Sequence, residues 1–394
     1  MLSQTMLAFG NNNSVIRDIA EYAAVRRGQI GEENVFDFSI GNPNVPAPPS
    51  VTEALRQLLD TEAEKLHAYT AAPGDPQVRT AVADYICRTY GFTASAKDVF
   101  ITAGASASLA ILFAAISQPG DEVITFTPFF PEYRVYVEAV GAKLVEVPSK
   151  EATFQIDGAA LEAAITARTK AVIVNSPNNP TGVVLHEESI RTLCRVLNQK
   201  AEQYGHPIYL VADEPYRELV YDDIRVPYIP SYYDNTLLCY SYSKTLSLPG
   251  ERIGYLLISP KAEAARDIFA AVCGAARAMG YVCAPSLFQQ LLVRCMGQLA
   301  DISVYDRNRK LLYNALKEYG FEVVYPDGAF YLFMKTPEPD ANAFCLKARE
   351  FELLMVPGDS FGYPGYVRIA YCVTTQQIRR SLPAFRQLAQ QYRR

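Results

Sequence analysis

The sequence is poor in the residues that bind metals and form disulfides. Its 394 residues include no tryptophan, three histidines and eight cysteines, and no two cysteines form a CxxC pair. His67, His186 and His206 fit neither an HExxH motif nor a zinc-binding spacing. Scattered cysteines are typical of a reducing cytosol, where they pack as small apolar side chains. We therefore predict no metal site and no disulfide framework.

The chain also lacks a basic surplus and a long apolar run. Lysine and arginine total 37 against 42 aspartate and glutamate residues, which gives a formal net charge of −5. Nucleic acid is therefore not expected as a partner. The longest apolar run, 109–116, is far shorter than the ~20 residues of a transmembrane helix. No positive charge precedes Arg17 to mark a signal peptide. We expect a cytoplasmic protein without a membrane partner.

What the sequence does contain is an alternation of apolar strands and helical stretches. Strands alternating with helices predict an α/β fold, in which a mostly parallel sheet is covered by helices on both faces. Ligands of such three-layer folds bind beyond the carboxyl ends of the strands, so polar residues that follow strands are candidate site residues. The strands predicted in this part of the chain are 98–102, 122–127, 143–147, 171–175, 208–212 and 237–240.

The last third of the chain has a different pattern. Residues 262–279 and 287–319 are rich in helix formers, and strands are predicted at 321–325, 330–335 and 366–372. An amphipathic helix closes the chain. This pattern indicates a second, smaller α+β domain.

Two strand ends carry charged residues suited to chemistry. Asp213 ends the strand 208–212, and Tyr216 follows three residues later. A buried acid at this place can pair with a cation or a protonated ring nitrogen, although an isolated Asp is as often a helix N-cap. After the strand 237–240 come Ser241, Lys244 and Arg252. Hydroxyls and cations together suit a phosphate, and a desolvated lysine can form a Schiff base, whereas a lone lysine is usually a solvated surface charge.

Three further loops follow strands. The segment 175–182, Asn-Ser-Pro-Asn-Asn-Pro-Thr-Gly, places a side-chain amide at the sheet edge, or is a plain turn. The small residues of 102–106 let a backbone approach an anion at a helix N-terminus. Aromatic residues in 127–133 can stack on a flat ring or belong to the core. None of these loops decides a function alone.

Taken in order, these motifs resemble those of the class I/II aminotransferase family, a branch of the fold-type I pyridoxal phosphate enzymes. The resemblance runs from the Ser-Ile-Gly-Asn-Pro segment at 39–43 to Arg368. It implies a large cofactor-binding domain of residues 46–290 and a small domain formed by residues 1–45 and 291–394. It also implies an α/β three-layer fold with that smaller α+β domain.

The resemblance assigns roles around the cofactor, pyridoxal 5′-phosphate. Lys244 would form the Schiff base and move protons, and Asp213 would keep the pyridine nitrogen protonated. Tyr216 and Asn179 would donate to the phenolic oxygen, and Phe130 would stack on the ring.

The phosphate and the substrate would be bound by other residues. The implied phosphate ligands are Ala105, Ser106, Ser241 and Arg252, with Ser243 as a neighbour. Tyr69 resembles the tyrosine that reaches the phosphate of the adjacent subunit, which implies a homodimer with shared active sites. Arg368 would clamp the substrate α-carboxylate together with Asn179, and Gly41 would leave room for the substrate.

The implied activity is transfer of the amino group of an L-amino acid to a 2-oxo acid such as 2-oxoglutarate, by a ping-pong mechanism. The donor stays open between aspartate, an aromatic and another amino acid. Some relatives carry a lysine for a distal carboxylate where this chain has Ser106, and Arg17, Arg26 and Arg27 are the candidate replacements. Two alternatives remain: a carbon–sulfur β-lyase on the same scaffold, and a regulator that senses amino acids without catalysis.

Overall fold

The computed structural model describes residues 2–11, 15–60 and 63–392. In these ranges, the six strands predicted between residues 98 and 240 all belong to one sheet. The strands of the described ranges are β1 (Phe36–Asp37), β2 (Val99–Thr102), β3 (Glu122–Thr127), β4 (Lys143–Pro148), β5 (Thr169–Asn175), β6 (Tyr209–Asp213), β7 (Thr236–Ser241), β8 (Gly254–Ile258), β9 (Tyr331–Lys335), β10 (Leu353–Leu354), β11 (Val356–Pro357) and β12 (Tyr366–Ala370).

Helices connect the strands, and no helix in the described ranges is both long and apolar enough to cross a membrane. The helices are α1 (Gln4–Asn11), α2 (Val15–Ile30), α3 (Pro49–Leu59), α4 (Ala63–Leu66), α5 (Pro76–Tyr90), α6 (Ala105–Ile116), α7 (Glu132–Glu138), α8 (Gly158–Ala164), α9 (Glu187–Tyr204), α10 (Tyr242–Thr245), α11 (Ala265–Ala278), α12 (Ser286–Cys295), α13 (Ser303–Glu318), α14 (Ala341–Arg349) and α15 (Thr375–Gln390).

The large sheet has the strand order β2-β8-β7-β6-β5-β3-β4. Strands β3 to β7 pair in parallel, and β8 pairs antiparallel with both β7 and β2. Alternate residues of one strand face opposite cores: Val172 and Val174 pack with α5, α9 and α12, whereas Ala171 and Ile173 pack with α6, α7 and α11. The predicted three-layer α/β fold is therefore confirmed.

The smaller part of the molecule has its own sheet, β11-β12-β9, which is antiparallel. Helices α13, α14 and α15 share a core with this sheet and with Phe38, and β1 pairs with β10. Both chain ends therefore contribute to the α+β part. Helix α12 crosses the predicted boundary at 290/291, and its Leu291 and Leu292 belong to the large core. The domain boundaries themselves stay a prediction.

Two strand-like segments of more than two residues differ from the sequence pattern, and the two-residue strands β1, β10 and β11 were not predicted either. Strand β8 was not predicted. It runs antiparallel to β7 after a short connection and has no crossover helix before it, so the alternation of strands and helices does not indicate it. Residues 321–325 were predicted as a strand but make a single bridge, Val323 to Met334. Neither difference moves the carboxyl ends of β5, β6 and β7, where the predicted site residues lie.

Candidate active site

A cavity of about 260 Å³ opens at the carboxyl edge of the parallel strands. The predicted site residues converge there, with Tyr69 as the exception. They are Gly41, Ala105, Ser106, Phe130, Asn179, Asp213, Tyr216, Ser241, Lys244, Arg252 and Arg368. The part of the chain that the structure describes contains no group of three or more His, Cys, Asp or Glu side chains suited to a metal ion.

Asp213 forms the acidic side of the cavity. It is the last residue of β6 and is 4% exposed. The Tyr133 hydroxyl donates a 2.6 Å hydrogen bond to Oδ2, while Oδ1 has no partner among the described residues. Burial raises the pKa of the Asp213 carboxyl to about 7, and the hydrogen bond from Tyr133 opposes that rise. A buried oxygen without a donor fits the protonated nitrogen of a pyridine ring.

Lys244 lies in the short helix α10, directly after β7. Its Nζ donates a 2.8 Å hydrogen bond to the Gly41 carbonyl. Burial, together with the positive charges of Arg252 and Arg368, lowers the pKa of the Lys244 ammonium to about 8. A lysine of this kind carries a substantial fraction of neutral amine near pH 8, and the neutral amine is the form that attacks an aldehyde.

Several groups that can donate to an anion lie at the N-terminus of α6. The Ser241 hydroxyl donates to Ser243 Oγ over 2.8 Å, and Arg252 Nη1 lies 3.4 Å from the same oxygen. Gly104 precedes the helix with φ of 86°, and a Cβ at this position would lie 3.0 Å from Arg252 Nη2. The glycine therefore lets the guanidinium reach the helix N-terminus. Backbone N–H groups, hydroxyls and a cation together are the donors that a phosphate requires.

Arg368 is a further cationic group of the cavity and lies on β12. It is 2% exposed, and Nη1 donates to Asn179 Oδ1 over 3.0 Å. Nη2 donates to the Ser39 carbonyl, and Nε has no partner in the described ranges. The guanidinium faces the Tyr331 ring at 4.6 Å from its centroid. A buried cation that no described carboxylate neutralises is suited to bind a carboxylate ligand.

The 175–182 loop lies between Asp213 and Arg368 and contacts both of them. Asn175 Nδ2 donates to the Asp213 carbonyl over 2.8 Å, and Asn175 Oδ1 accepts from the Asn179 backbone over 2.7 Å. The Ser176–Pro177 and Asn179–Pro180 peptide bonds are both cis. The loop thus fixes Asn179 relative to both Asp213 and Arg368.

Gly41 is required by its surroundings. A Cβ at this position would lie 1.9 Å from the Tyr331 hydroxyl, which no side-chain adjustment of a few tenths of an ångström relieves. The same Tyr331 hydroxyl lies 3.0 Å from that of Tyr216. Tyr331 lines the cavity and was not among the predicted site residues. It ends the apolar segment Gly-Ala-Phe-Tyr, in which an aromatic residue normally packs in the core, so the sequence did not indicate a site residue there.

Two predicted groups lie apart from the cavity. Tyr69 is 86% exposed and does not line it, so this chain alone does not bring the hydroxyl to the phosphate site. Arg26 and Arg27 are ion-paired with Glu352 and Asp37, and Arg17 is not a lining residue. From α2, it is the apolar Ile16 that lines the cavity.

The sequence matches the family of class I and II aminotransferases over residues 33–385. The chain belongs to this family. A probable aspartate/prephenate aminotransferase of Thermus aquaticus is 34% identical over 362 residues, which are 90% of this chain and 91% of that protein. Members of the family use pyridoxal phosphate, so the predictions of a transaminase and of this cofactor are confirmed.

Solved structures agree with the family assignment. An aminotransferase from Eubacterium rectale has a TM-score of 0.98 and 50% identity, and the match covers 100% of both chains. The aspartate aminotransferase of Thermus thermophilus with maleate has a TM-score of 0.86 and 29% identity, covering 98% of this chain and 99% of that one. The β-lyase and the sensing regulator are not favoured by these comparisons.

The environment of Lys244 predicts how its reactivity changes with pH. In the cofactor-free chain, competitive labelling with acetic anhydride, measured by peptide mass spectrometry, should show Lys244 with a midpoint near pH 8. Above this pH the neutral amine dominates, because burial disfavours the ammonium. Arg252→Leu should move the midpoint upward, since a repelling positive charge is removed. A wild-type midpoint near the ordinary value of 10.5 would contradict this description of the site.

Proposed function

We propose that this aminotransferase binds the ring of pyridoxal phosphate between Asp213 and Phe130, its phosphate at the α6 N-terminus, and its aldehyde carbon at Lys244. The strongest support is that one cavity contains both a buried carboxylate oxygen that needs a hydrogen-bond donor and a lysine that deprotonates readily. Among the described residues, Asp213 Oδ1 has no hydrogen-bond donor, whereas the pKa of Lys244 is lowered. When bound, the cofactor supplies an aldehyde for the amino group and a ring that withdraws electrons from the adjacent carbon.

The remaining residues orient the substrate and move its proton. Arg368 and Asn179 bind the α-carboxylate of the amino acid, which fixes the α-carbon relative to Lys244. Once the substrate amino group replaces it at the aldehyde carbon, Lys244 Nζ would accept the α-proton as general base and donate it as general acid to that former aldehyde carbon. Tyr216 and Asn179 would donate to the phenolic oxygen of the cofactor. The donor leaves as a 2-oxo acid before the acceptor 2-oxo acid binds.

For the amino donor, we propose an uncharged or aromatic side chain in preference to aspartate. The relatives carry aspartate in their names, but the cations lining this cavity are Lys244, Arg252 and Arg368, each with a role already. The candidates Arg26 and Arg27 are paired with carboxylates. Ile16 and Leu109 instead give the lining an apolar part.

A panel of amino donors tests this function. With pyruvate as acceptor, aromatic and neutral L-amino acids should give a higher kcat/KM than aspartate, because a distal carboxylate would be buried without a cation. For the same reason, 2-oxoglutarate should be a poorer acceptor than pyruvate. The measurement is the loss of the cofactor absorbance together with the 2-oxo acid formed. A clear preference for aspartate would refute the donor proposal, and release of pyruvate and ammonia from cystathionine without an acceptor would indicate the lyase instead.

Two lysine variants serve as matched controls for the panel. Lys244→Ala should lose at least about 10²–10⁴-fold in turnover, because it removes the general base, while its circular dichroism stays that of the wild type. Lys261→Ala removes an exposed lysine that pairs with Asp234 and should keep full activity. A fully active Lys244→Ala enzyme would refute the role of Lys244.

We further propose that the working unit is a homodimer in which Tyr69 reaches the phosphate of the partner's cofactor. Its 86% exposure and its position outside the cavity support this proposal. A tyrosine that served its own site would have to line it.

Mixed dimers test the role of Tyr69. Tyr69→Ala and Lys244→Ala should each be impaired, but subunit exchange should create a hybrid in which one site has both residues intact. For random exchange between equal amounts, about a quarter of the wild-type activity should return. No recovery after exchange that mass spectrometry has verified would show that Tyr69 does not act across subunits. A monomer by sedimentation would refute the dimer itself.

A further inference from the structure

Tyr133 is a buried tyrosine to which the family resemblance gave no role. It lies on α7, is 1% exposed, and packs edge-on against Phe130 with ring centroids 5.7 Å apart. The sequence suggested only an aromatic core position. Its hydroxyl nevertheless does not point to solvent or to a backbone carbonyl, but donates to Asp213 Oδ2 over 2.6 Å.

The carboxylate of Asp213 has few other restraints. The loop residue Asn175 bonds to the backbone carbonyl of Asp213 and not to the side chain. Within the described ranges, Oδ1 has no partner, so the hydrogen bond from Tyr133 fixes the rotation of the carboxylate. The other titratable groups with an electrostatic interaction with Asp213 are Tyr136, Glu214, Tyr216 and Cys239.

We propose that Tyr133 is a positioning residue, whose hydroxyl holds Asp213 ionised and turned so that Oδ1 meets the ring nitrogen of the cofactor. This inference rests on the proposed role of Asp213. It gives the first turn of α7 a part in the chemistry, because Tyr133 lies there, three residues after Phe130, whose carbonyl accepts a 3.1 Å hydrogen bond from the Tyr133 backbone N–H.

The physical reason is the balance of charge in a dry site. Burial favours the neutral carboxylic acid, and raises the pKa of Asp213 to about 7. A hydrogen bond from a hydroxyl to the ionised oxygen favours the carboxylate, and such charge-assisted bonds are short and strong. Without the hydroxyl, the protonated form of the Asp213 carboxyl becomes more populated. A neutral carboxyl group no longer favours protonation of the ring nitrogen.

The test replaces only the hydroxyl, as Tyr133→Phe, so that the ring packing is kept. Ring nitrogen protonation is measured by ¹⁵N NMR of the holoenzyme carrying ¹⁵N-labelled pyridoxal phosphate. The wild type should show a pyridinium signal at neutral pH, and the variant should shift towards the neutral pyridine. Its kcat should fall by about 10- to 100-fold, as expected for a hydrogen bond to a charged group.

A matched control and a modified cofactor separate positioning from simple packing. Tyr209 is buried in the same core, and its hydroxyl donates to the Glu263 carbonyl; Tyr209→Phe should leave the ¹⁵N signal and kcat unchanged. With N-methylated pyridoxal phosphate, whose ring charge is permanent, wild type and Tyr133→Phe should become equal in kcat. A defect that persists with this cofactor, or an unchanged ¹⁵N signal, would overturn the proposal for Tyr133. A neutral nitrogen in the wild type would refute the role of Asp213 as well.

Discussion

The buried carboxylate of Asp213 is the group on which the rest of the site depends. It lies at the end of a central strand, nearly excluded from water, and one of its oxygens lacks a donor among the described residues. A charge in such a place is costly unless a cation meets it. The opposite side of the cavity has the complementary need, since Lys244, Arg252 and Arg368 repel one another. A ligand with a protonated ring and an anionic phosphate satisfies both sides.

The parallel sheet is what brings these groups together. Strands β5, β6 and β7 are neighbours and run in the same direction, so Asn175, Asp213 and Ser241 end at one edge although 66 residues of chain separate the first from the last. The small sheet then places Arg368 against Asn179 from the other side. The cavity therefore exists only where the two parts of the chain meet.

Much of this arrangement was predictable, because the carboxyl ends of parallel strands in an α/β fold lie at the same edge of the sheet. Asp213, Lys244 and Asn179 were found from their place after apolar runs. The side-chain contacts were not predictable from the sequence. The Tyr133 hydroxyl donates to Asp213, 80 positions further along the chain, and Tyr331 lies in an apolar segment that is typical of the core. Strand β8 was missed because it is antiparallel and lacks a preceding crossover helix. The ion pairs that occupy Arg26 and Arg27 depend on tertiary contacts that no local pattern encodes.

The central claim is that Lys244 is the residue that binds the cofactor in the cavity opposite Asp213. The most direct measurement is reduction of the full chain, loaded with pyridoxal phosphate, by sodium borohydride, followed by digestion and peptide mass spectrometry. We expect a single pyridoxyl group, on the peptide that contains Lys244. A pyridoxyl group on another lysine, or none at all with the cofactor bound, would contradict it.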